Sequence, residues 1–448
     1  MNAVSGRAEP DQKELEDIVA MVLDYARQND VDQAEVAATH DIGLTATVRL
    51  GEVESLEYTN DRGVGITVFK DHRKGGASTS DFNPSALREA VNKACSIAEL
   101  TAADKYAGLA DPETMATDPP DLDLAYNWYL ESKAAIRIAV ECEDAARAYD
   151  KRITNSEGAT IGTSGGVQAY ANTHGFLAAY PKTNHSLSCI VIGEQNGGME
   201  RDYWYTSARD PASLDSATVV GEKAARRTVE RLGARKLQTV NAPVIYAPEM
   251  ARGFIGHAIR AIAGGAQYRR SSFLLDAMGE TIFPDFVCIE ERPHIPGGIA
   301  SAPYDAEGVR TVDRDLVVAG VLQGYLLSSY SARKLGLVTT GNAGGAHNLL
   351  VPGNGGDMQS MMKEMGTGLI VHELIGQGVN SVTGDYSRGA VGYWVEGGEI
   401  AYPVHEITIA GNLRDLYQRV ERIGDDQDLR GGIRCGSVLV SEMKIAGS

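Results

Sequence analysis

The sequence predicts an α+β fold, with N-terminal antiparallel sheets carrying packed helices and a C-terminal domain that is mainly β. Two patterns and one composition figure carry that expectation. Stretches of strand character are split by Gly and Asn/Asp turn chemistry, helical apolar faces recur between them, and there are 50 glycines, many placed where strands would turn. A chain of 448 residues exceeds what one hydrophobic core usually serves. The breaks in pattern divide it into an N-terminal α+β domain (1–105), a middle α+β segment completing the first half (106–235) and a C-terminal β-rich domain (236–448).

Asp11-Gln12-Lys13-Glu14 reads as a capping box, and Leu15, Ile18, Val19, Val22 and Ala26 follow it at helical spacing. Strand candidates follow at 35–39, 44–50, 53–59, 65–70 and 75–80. Gly51-Glu52 and Asn60-Asp61-Arg62-Gly63 are read as turns between them, giving an antiparallel meander. Asn83-Pro84 then opens a helix with Leu87, Val91, Ala94 and Ile97 on one face. Residues 101–124, with Asp118-Pro119-Pro120-Asp121, lack periodicity and read as a linker. A helix over 131–149 leads into a second β-rich stretch, 153–206, whose layout hints at a repeat of the first. Asp210-Pro211 is expected to open a helix running to about Leu232, followed by a strand at 244–247 and a helix over 249–263. Beyond that, Gly pairs such as Gly297-Gly298, Gly344-Gly345 and Gly397-Gly398 break up strands.

Composition narrows function. With 43% hydrophobic and 23% charged residues the chain is ordinary globular material, too apolar for wholesale disorder. A net charge of -18, with no dense basic run, opposes the counterion release that drives nucleic-acid binding, so no direct nucleic-acid contact is expected. No apolar run approaches the roughly 18 residues needed to span a bilayer. The opening Met1-Asn2-Ala3-Val4-Ser5-Gly6-Arg7 has no secretory apolar core. Cys95, Cys142, Cys189, Cys288 and Cys435 are widely spread and odd in number, which fits a reducing compartment; the cytoplasm is the expected location.

His372-Glu373 begins like a zinc-protease helix, in which two histidines one turn apart bind metal and the glutamate activates water. The second histidine is missing, since Gly376 and Gln377 occupy the next turn, and 369–374 reads equally well as strand. The dull alternative is a surface or packing pair. His40, His72, His174, His185, His257, His294, His347 and His405 are scattered singly. Cys435, in Gly431-Gly432-Ile433-Arg434-Cys435-Gly436, is either a thiolate able to approach a metal or a small buried residue at a turn. Gly162-Thr163-Ser164-Gly165-Gly166 lacks the nucleophile-elbow spacing, and neither a dinucleotide nor a nucleotide phosphate-binding glycine pattern occurs.

Several segments together resemble the PmbA/TldD family, known as modulators of DNA gyrase and as subunits of a cytosolic metallopeptidase. They include Gly63-Val64-Gly65-Ile66-Thr67-Val68, Tyr304-Asp305-Ala306-Glu307-Gly308-Val309-Arg310-Thr311 and Ser331-Ala332-Arg333-Lys334-Leu335-Gly336. Gly384-Asp385-Tyr386-Ser387-Arg388-Gly389-Ala390 and the ending Glu442-Met443-Lys444-Ile445-Ala446-Gly447 resemble the PmbA branch, also called TldE. In the TldD branch an H-E-x-x-x-H motif and a cysteine near the C-terminus hold zinc. Through Gly264-Gly265-Ala266-Gln267-Tyr268-Arg269-Arg270 the resemblance places that motif on Gly256, His257 and Ala261. Neither position of the two zinc-binding histidines holds a histidine, His257 stands where the catalytic glutamate would be, and Cys435 matches the cysteine position.

The resemblance therefore implies a chain with no catalytic, cofactor-binding or metal-holding residue of its own, and with Cys435 unused as a ligand. It implies zinc in a TldD-type partner, and an extended or unfolded peptide as substrate of the heteromeric peptidase. A homo-oligomer in the partner's absence is compatible with this. Two other readings stay open: an independent peptidase gathering zinc from Cys435 and dispersed histidines, and a non-enzymatic regulator of DNA gyrase acting by protein contact.

Overall fold

The structure, a computed structural model, describes residues 9–447, so the opening segment Met1–Arg7 lies outside the described residues. Its first half contains α1 (Gln12–Arg27), β1 (Gln33–Arg49), β2 (Glu52–Lys70), β3 (Arg73–Thr79) and α2 (Pro84–Leu100). The same order then recurs as α3 (Ser132–Tyr149), β4 (Ile153–Asn172), β5 (Leu177–Gln195), β6 (Gly198–Ala208) and α4 (Ala217–Arg231). The strands form one antiparallel sheet ordered β3-β2-β1-β4-β5-β6, so the two α-β-β-β-α units meet along β1 and β4, from Glu35 opposite Asn172 to Val48 opposite Ala159. The repeat hinted at by the sequence is thus real at the level of layout.

Alternation along β1 fixes which face is covered. Ala34, Val36, Ala38, Leu44, Ala46 and Val48 are all buried. The first three pack with the apolar faces of α1 and α2, the last three with those of α3 and α4. Both helix pairs therefore sit on one side of the sheet, as a period of two in one long strand requires. The α3–α4 approach is close enough that a Cβ on Gly221 would lie 2.1 Å from the Cys142 carbonyl oxygen.

Two expected boundaries move. Asn60-Asp61-Arg62-Gly63 is no turn: β2 runs straight through it, with Asp61 opposite Asp41 and Arg62 opposite His40. Continuous pairing with β1 overrides local turn chemistry there, and the Asn60 side chain meets His40 Nε2 at 2.9 Å. The actual turn is at Leu50-Gly51, both with positive φ, where Glu143 from α3 accepts both backbone N–H groups at 2.8 Å. Likewise Asp210-Pro211 opens only a single 3₁₀ turn, and α4 starts afresh at Ala217 behind a Ser216 cap. The Asp11 carboxylate caps α1 by accepting from Lys13 and Glu14, whereas the Asn83 side chain makes no cap bond to α2 and donates to Asp81 instead.

The second half opens with β7 (Val240–Tyr246), α5 (Pro248–Ala261) and α6 (Gly264–Tyr268). Short elements follow, namely β8 (Ile289–Glu291), β9 (Arg314–Val318), β10 (Val321–Leu322), α7 (Ser329–Leu335), β11 (Leu349–Leu350) and α8 (Met358–Met365). The chain ends on β12 (Gly368–Ile375), β13 (Asp385–Glu396), β14 (Glu399–Asn412), α9 (Leu413–Gln418), β15 (Val420–Ile423), β16 (Ile433–Arg434) and β17 (Val438–Ala446). Strands β14-β13-β12-β7-β17 are neighbours in that order, and β14 also pairs with β17 from Thr408–Ala446 to Ala410–Lys444, which closes a barrel. Val244 and Tyr246 of β7 face α5, and Ile245 faces the α8 methionines. Buried on both faces, β7 reads as a continuous apolar run rather than an alternating one. Strand β16 belongs to a smaller sheet, β10-β9-β8-β11-β16, and lies beside α5.

Candidate functional site

Helix α5 begins with Pro248 in its first turn and carries Arg260 in its last. Its buried face, including Ala251, Phe254, Ile255 and Ala258, packs into the barrel core, with Phe254 stacked on Tyr246 at 4.9 Å between ring centroids. That rotation leaves Arg252, His257 and Arg260 toward the surface, with Gly256 beside β16. Gly256 is buried, and a Cβ there would meet Ile433 Cδ1 at 3.6 Å and Arg260 Nη1 at 4.0 Å, ordinary contact distances, so the helix packs against β16 at this point.

The side chains at the positions implied by the resemblance offer little to a cation. Gly256 has no side chain, and the Ala261 methyl belongs to the hydrophobic core while its carbonyl accepts from Gln267 and Ser272. Arg260 Nη2 lies 2.5 Å from His257 Nδ1. A guanidinium has only N–H to give, so Nδ1 is the acceptor and the imidazole proton sits on Nε2. Burial, then Arg260 and Arg388, push His257 down to about 4, so it is neutral at pH 7. The Tyr386 ring stands edge-on to His257, at 5.9 Å between centroids. Cys435 is wholly buried and its Sγ–H points at the Gly436 carbonyl, 3.3 Å away. Burial first, and Asp426 second, push this thiol up, which holds it as S–H rather than thiolate. Among the described residues no three His, Cys, Asp or Glu side chains gather where they could hold a metal ion.

His372 and Glu373 lie elsewhere and on a strand. They occupy β12, where the ladder to β13 slips between Val371 and Glu373 and leaves His372 as the extra residue. His372 stands edge-on to Tyr393 at 5.1 Å, and burial followed by Arg227 pushes it down to about 4. Glu373 Oε2 takes a 2.7 Å bond from Arg231 Nη1 of α4. Arg231 also reaches Asp202 at 3.3 Å and Glu200 at 3.5 Å, and Arg227 reaches Asp202 at 3.3 Å and Glu249 at 2.8 Å. This largely buried cluster joins the helical half to the barrel, so the pair is a packing pair. The other histidines stay apart: His40 meets Asn60, His185 meets Thr163, His294 meets Thr311, His347 meets Glu291 and His405 meets Glu200. Ser164 sits within β4 and bonds to the Asn184 carbonyl.

The full-length comparisons bear on this arrangement. Three family models match in succession: PmbA/TldA metallopeptidase domain 1 over residues 34–98, the central domain over 126–232 and the C-terminal domain over 239–447. The Escherichia coli O157:H7 metalloprotease PmbA is 51% identical over 444 residues, covering 99% of this chain and 98% of that protein. The chain belongs to the PmbA branch of the PmbA/TldD metallopeptidase family. A PmbA homologue from Haemophilus influenzae is 47% identical over 98% of this chain and 97% of its own length. Among solved structures, a candidate modulator of DNA gyrase from Bacteroides thetaiotaomicron superposes with a TM-score of 0.92 at 25% identity, covering 97% of this chain and 99% of that one. TldE from Thermococcus kodakarensis gives 0.82 at 21% identity over 96% and 99%, a likeness of fold. No helix among the described residues of this family member is long and apolar enough to cross a membrane.

Sequence reasoning did not single out Arg260 and Arg388, the cations that dominate the surroundings of His257. Arg388 falls within the segment Gly384–Ala390 quoted for the PmbA branch, on the same side of β13 as buried Tyr386 and Ala390. A strand pattern that places an arginine in the row of core residues was the available signal.

Proposed function

We propose that this chain is the subunit of a heteromeric PmbA/TldD-type metallopeptidase that does not carry the catalytic zinc, with a TldD-type partner supplying metal and an extended or unfolded peptide as substrate. The single observation that carries the reading is the donor set around α5. Where a zinc site needs lone pairs from three converging ligands, this chain has Gly256, a His257 whose Nδ1 lone pair is engaged by Arg260, Ala261 and a buried Cys435 thiol. In the assembly the chain's part is to complete and shape the approach to the partner's metal. Strand β16, at the edge of its small sheet and beside α5, offers main-chain groups to which an extended peptide can pair with little demand on side chains.

The test is size-exclusion chromatography with mass measurement of the chain alone and mixed with a TldD-type subunit, followed by cleavage of an unstructured peptide. Co-elution, and cleavage faster than the partner achieves alone, are expected. Equal cleavage with and without this chain would overturn the proposal. Metal analysis of the chain purified alone adds a second arm, in which a stoichiometric zinc that disappears in Cys435→Ser would replace this reading with that of an independent peptidase.

A further inference from the structure

The β1–β2 hairpin leaves a strand edge open. Strand β2 pairs with β1 from Phe69 back to Glu52, but with β3 only from Lys70 to Val64. From Glu52 to Gly63 its outer side has no partner strand, and every residue of that stretch except Ser55 and Gly63 is exposed. Native sheets usually shorten, cover or charge such an edge against stray pairing. Apolar residues run along one face of this one: Val53, Leu56 and Tyr58, which are 47%, 40% and 45% exposed, stand opposite buried Val48, Ala46 and Leu44. Glu57 and Asp61 lie on the other face, opposite Thr45 and Asp41.

The apolar row leads to a cavity. On the helix-covered face of the sheet, α1 and α2 pack over Ala38 and Val167, and α3 and α4 over Leu44 and Ile161. Between the two helix pairs Ile42 stands opposite Gly165, which has no side chain to fill the space. A cavity of about 310 Å³ occupies this gap, lined mainly by apolar and aromatic groups such as Ile42, Trp128, Pro181 and, from the edge strand itself, Tyr58. Off the sheet, the segment 125–130 completes the lining and is pinned in place. The Tyr126 N–H donates to Thr183 Oγ1 at 2.9 Å, and the Tyr126 carbonyl accepts from His185 Nε2 at 2.9 Å. Trp128 stands edge-on to His185, with 5.5 Å between ring centroids. Because exposed Tyr58 is part of the wall, the cavity is open at the strand edge.

We infer that the Glu52–Gly63 edge of β2 takes up an extended peptide segment as an added strand, with a large apolar side chain of that segment in the cavity and Lys or Arg side chains on the opposite face. Main-chain pairing would hold the segment and the cavity would select it. The volume, at the low end of the roughly 300–1,000 Å³ usual for ligand pockets, suits a side chain better than a large cofactor. Charge decides between occupants. Among the described residues Glu52, Glu57 and Asp61 form no ion pair, Glu54 has Arg49 at 3.7 Å, and Arg62 lies over the Phe82 ring. A second copy paired edge to edge would set these carboxylates against their own kind, whereas a basic segment neutralises them. The inference rests on the peptidase reading for the class of ligand, an extended peptide. It adds a holding site in the first half of the molecule and a preferred alternation of apolar and basic residues.

The experiment uses the purified full chain and fluorescein-labelled decapeptides of Lys-Phe, Lys-Ser and Glu-Phe alternation, with binding read by fluorescence anisotropy at matched ionic strength. The Lys-Phe peptide is expected to bind about tenfold more tightly than either control, in keeping with several favourable cross-strand pairs. The Lys-Ser control carries the same charge, so long-range attraction to an acidic chain cannot produce the difference. Leu56→Lys should bring the Lys-Phe to Lys-Ser ratio toward one, and the double substitution Glu57→Lys, Asp61→Lys should shift preference toward the Glu-Phe peptide. Hydrogen exchange of the parent chain keeps the test sound if a variant fails to fold: the Lys-Phe peptide should slow exchange of backbone amides within 52–63. Equal binding of the three peptides, no binding of any, binding without protection at 52–63, or dimerisation of the chain through this edge would overturn the inference. Failure here is separable from failure of the subunit reading. A chain that co-elutes with its partner and raises cleavage yet shows no protection at 52–63 loses only the β2 site, and one that binds the peptide there but no partner loses only the assembly.

Discussion

Two clusters of arginine and histidine, one at the seam between the two halves of the molecule and one on α5, have similar parts and opposite charge balance. At the seam, Arg227 and Arg231 are matched by Glu200, Asp202, Glu249 and Glu373 within 3.5 Å. At His257 of α5, Arg260 bonds the imidazole and Arg388 of β13 also disfavours its charge, with no carboxylate acting against them. The difference teaches how to tell an ion cluster that balances itself from one that does not. Burial alone does not do it, because both histidines are held at about 4. What separates them is whether the protein supplies the counter-charge itself.

The largest test of that distinction is Arg231→Ala. It takes the arginine from Glu373 and Glu200 and leaves Asp202 to Arg227 alone in a largely buried site, which should cost about 3–5 kcal/mol in urea unfolding, whereas Arg260→Ala, on an exposed side chain with no ion pair, should stay within about 0.5 kcal/mol. Equal losses would dissolve the comparison. Next comes pH. The folded chain holds His372 and His257 at about 4 against an ordinary 6.5, so between these values the unfolded chain binds protons that the folded chain refuses. Stability should be complete above pH 6.5 and fall as pH drops toward 4, by on the order of 1 kcal/mol per pH unit for each histidine. His372→Asn and His257→Asn should each flatten the slope measured as a difference from the parent, and an unchanged slope in both would refute the burial argument.

Smaller effects follow at the positions that first suggested a metal site. Cys435→Ser exchanges a buried thiol for a hydroxyl and should cost about 1–2 kcal/mol, with no change in metal content by mass spectrometry. Glu373→Gln weakens the seam but should leave the peptidase rate of the assembled complex unchanged. A collapse of that rate with assembly intact would restore the pair to the active site.

The fold was legible where local chemistry and tertiary demand agree. Asp11 does cap α1, Asn83-Pro84 does mark the start of α2, and Gly51 does make a hairpin. Legibility failed at Asn60–Gly63, where turn residues are carried through a ladder whose partner strand lies elsewhere in the sequence, and at Asp210-Pro211, where a helix start is spent on one turn. The site divides similarly. A motif shows in sequence, so the pattern at Gly256, His257 and Ala261 could be read off by resemblance. His372-Glu373 matched letters but not geometry, because a β-bulge aims one residue at Tyr393 and the other at Arg231. Arg260 and Arg388 are 128 positions apart, by subtraction of their numbers, and only the fold brings both charges to bear on His257.

The barrel closure has a consequence for how the molecule is made. All six strands of the first sheet have been synthesised once residue 208 has left the ribosome, and that sheet can form while the rest is still being translated. The barrel has no such freedom. Strand β7 needs β17 on one side and β12 on the other, so a stretch that is apolar on both faces must wait about 190 residues for its second neighbour. During that interval Val244, Ile245 and Tyr246 form an exposed, sticky segment on a nascent chain. Conditions that slow translation between β7 and β17 should therefore promote aggregation more than the same delay placed before β6.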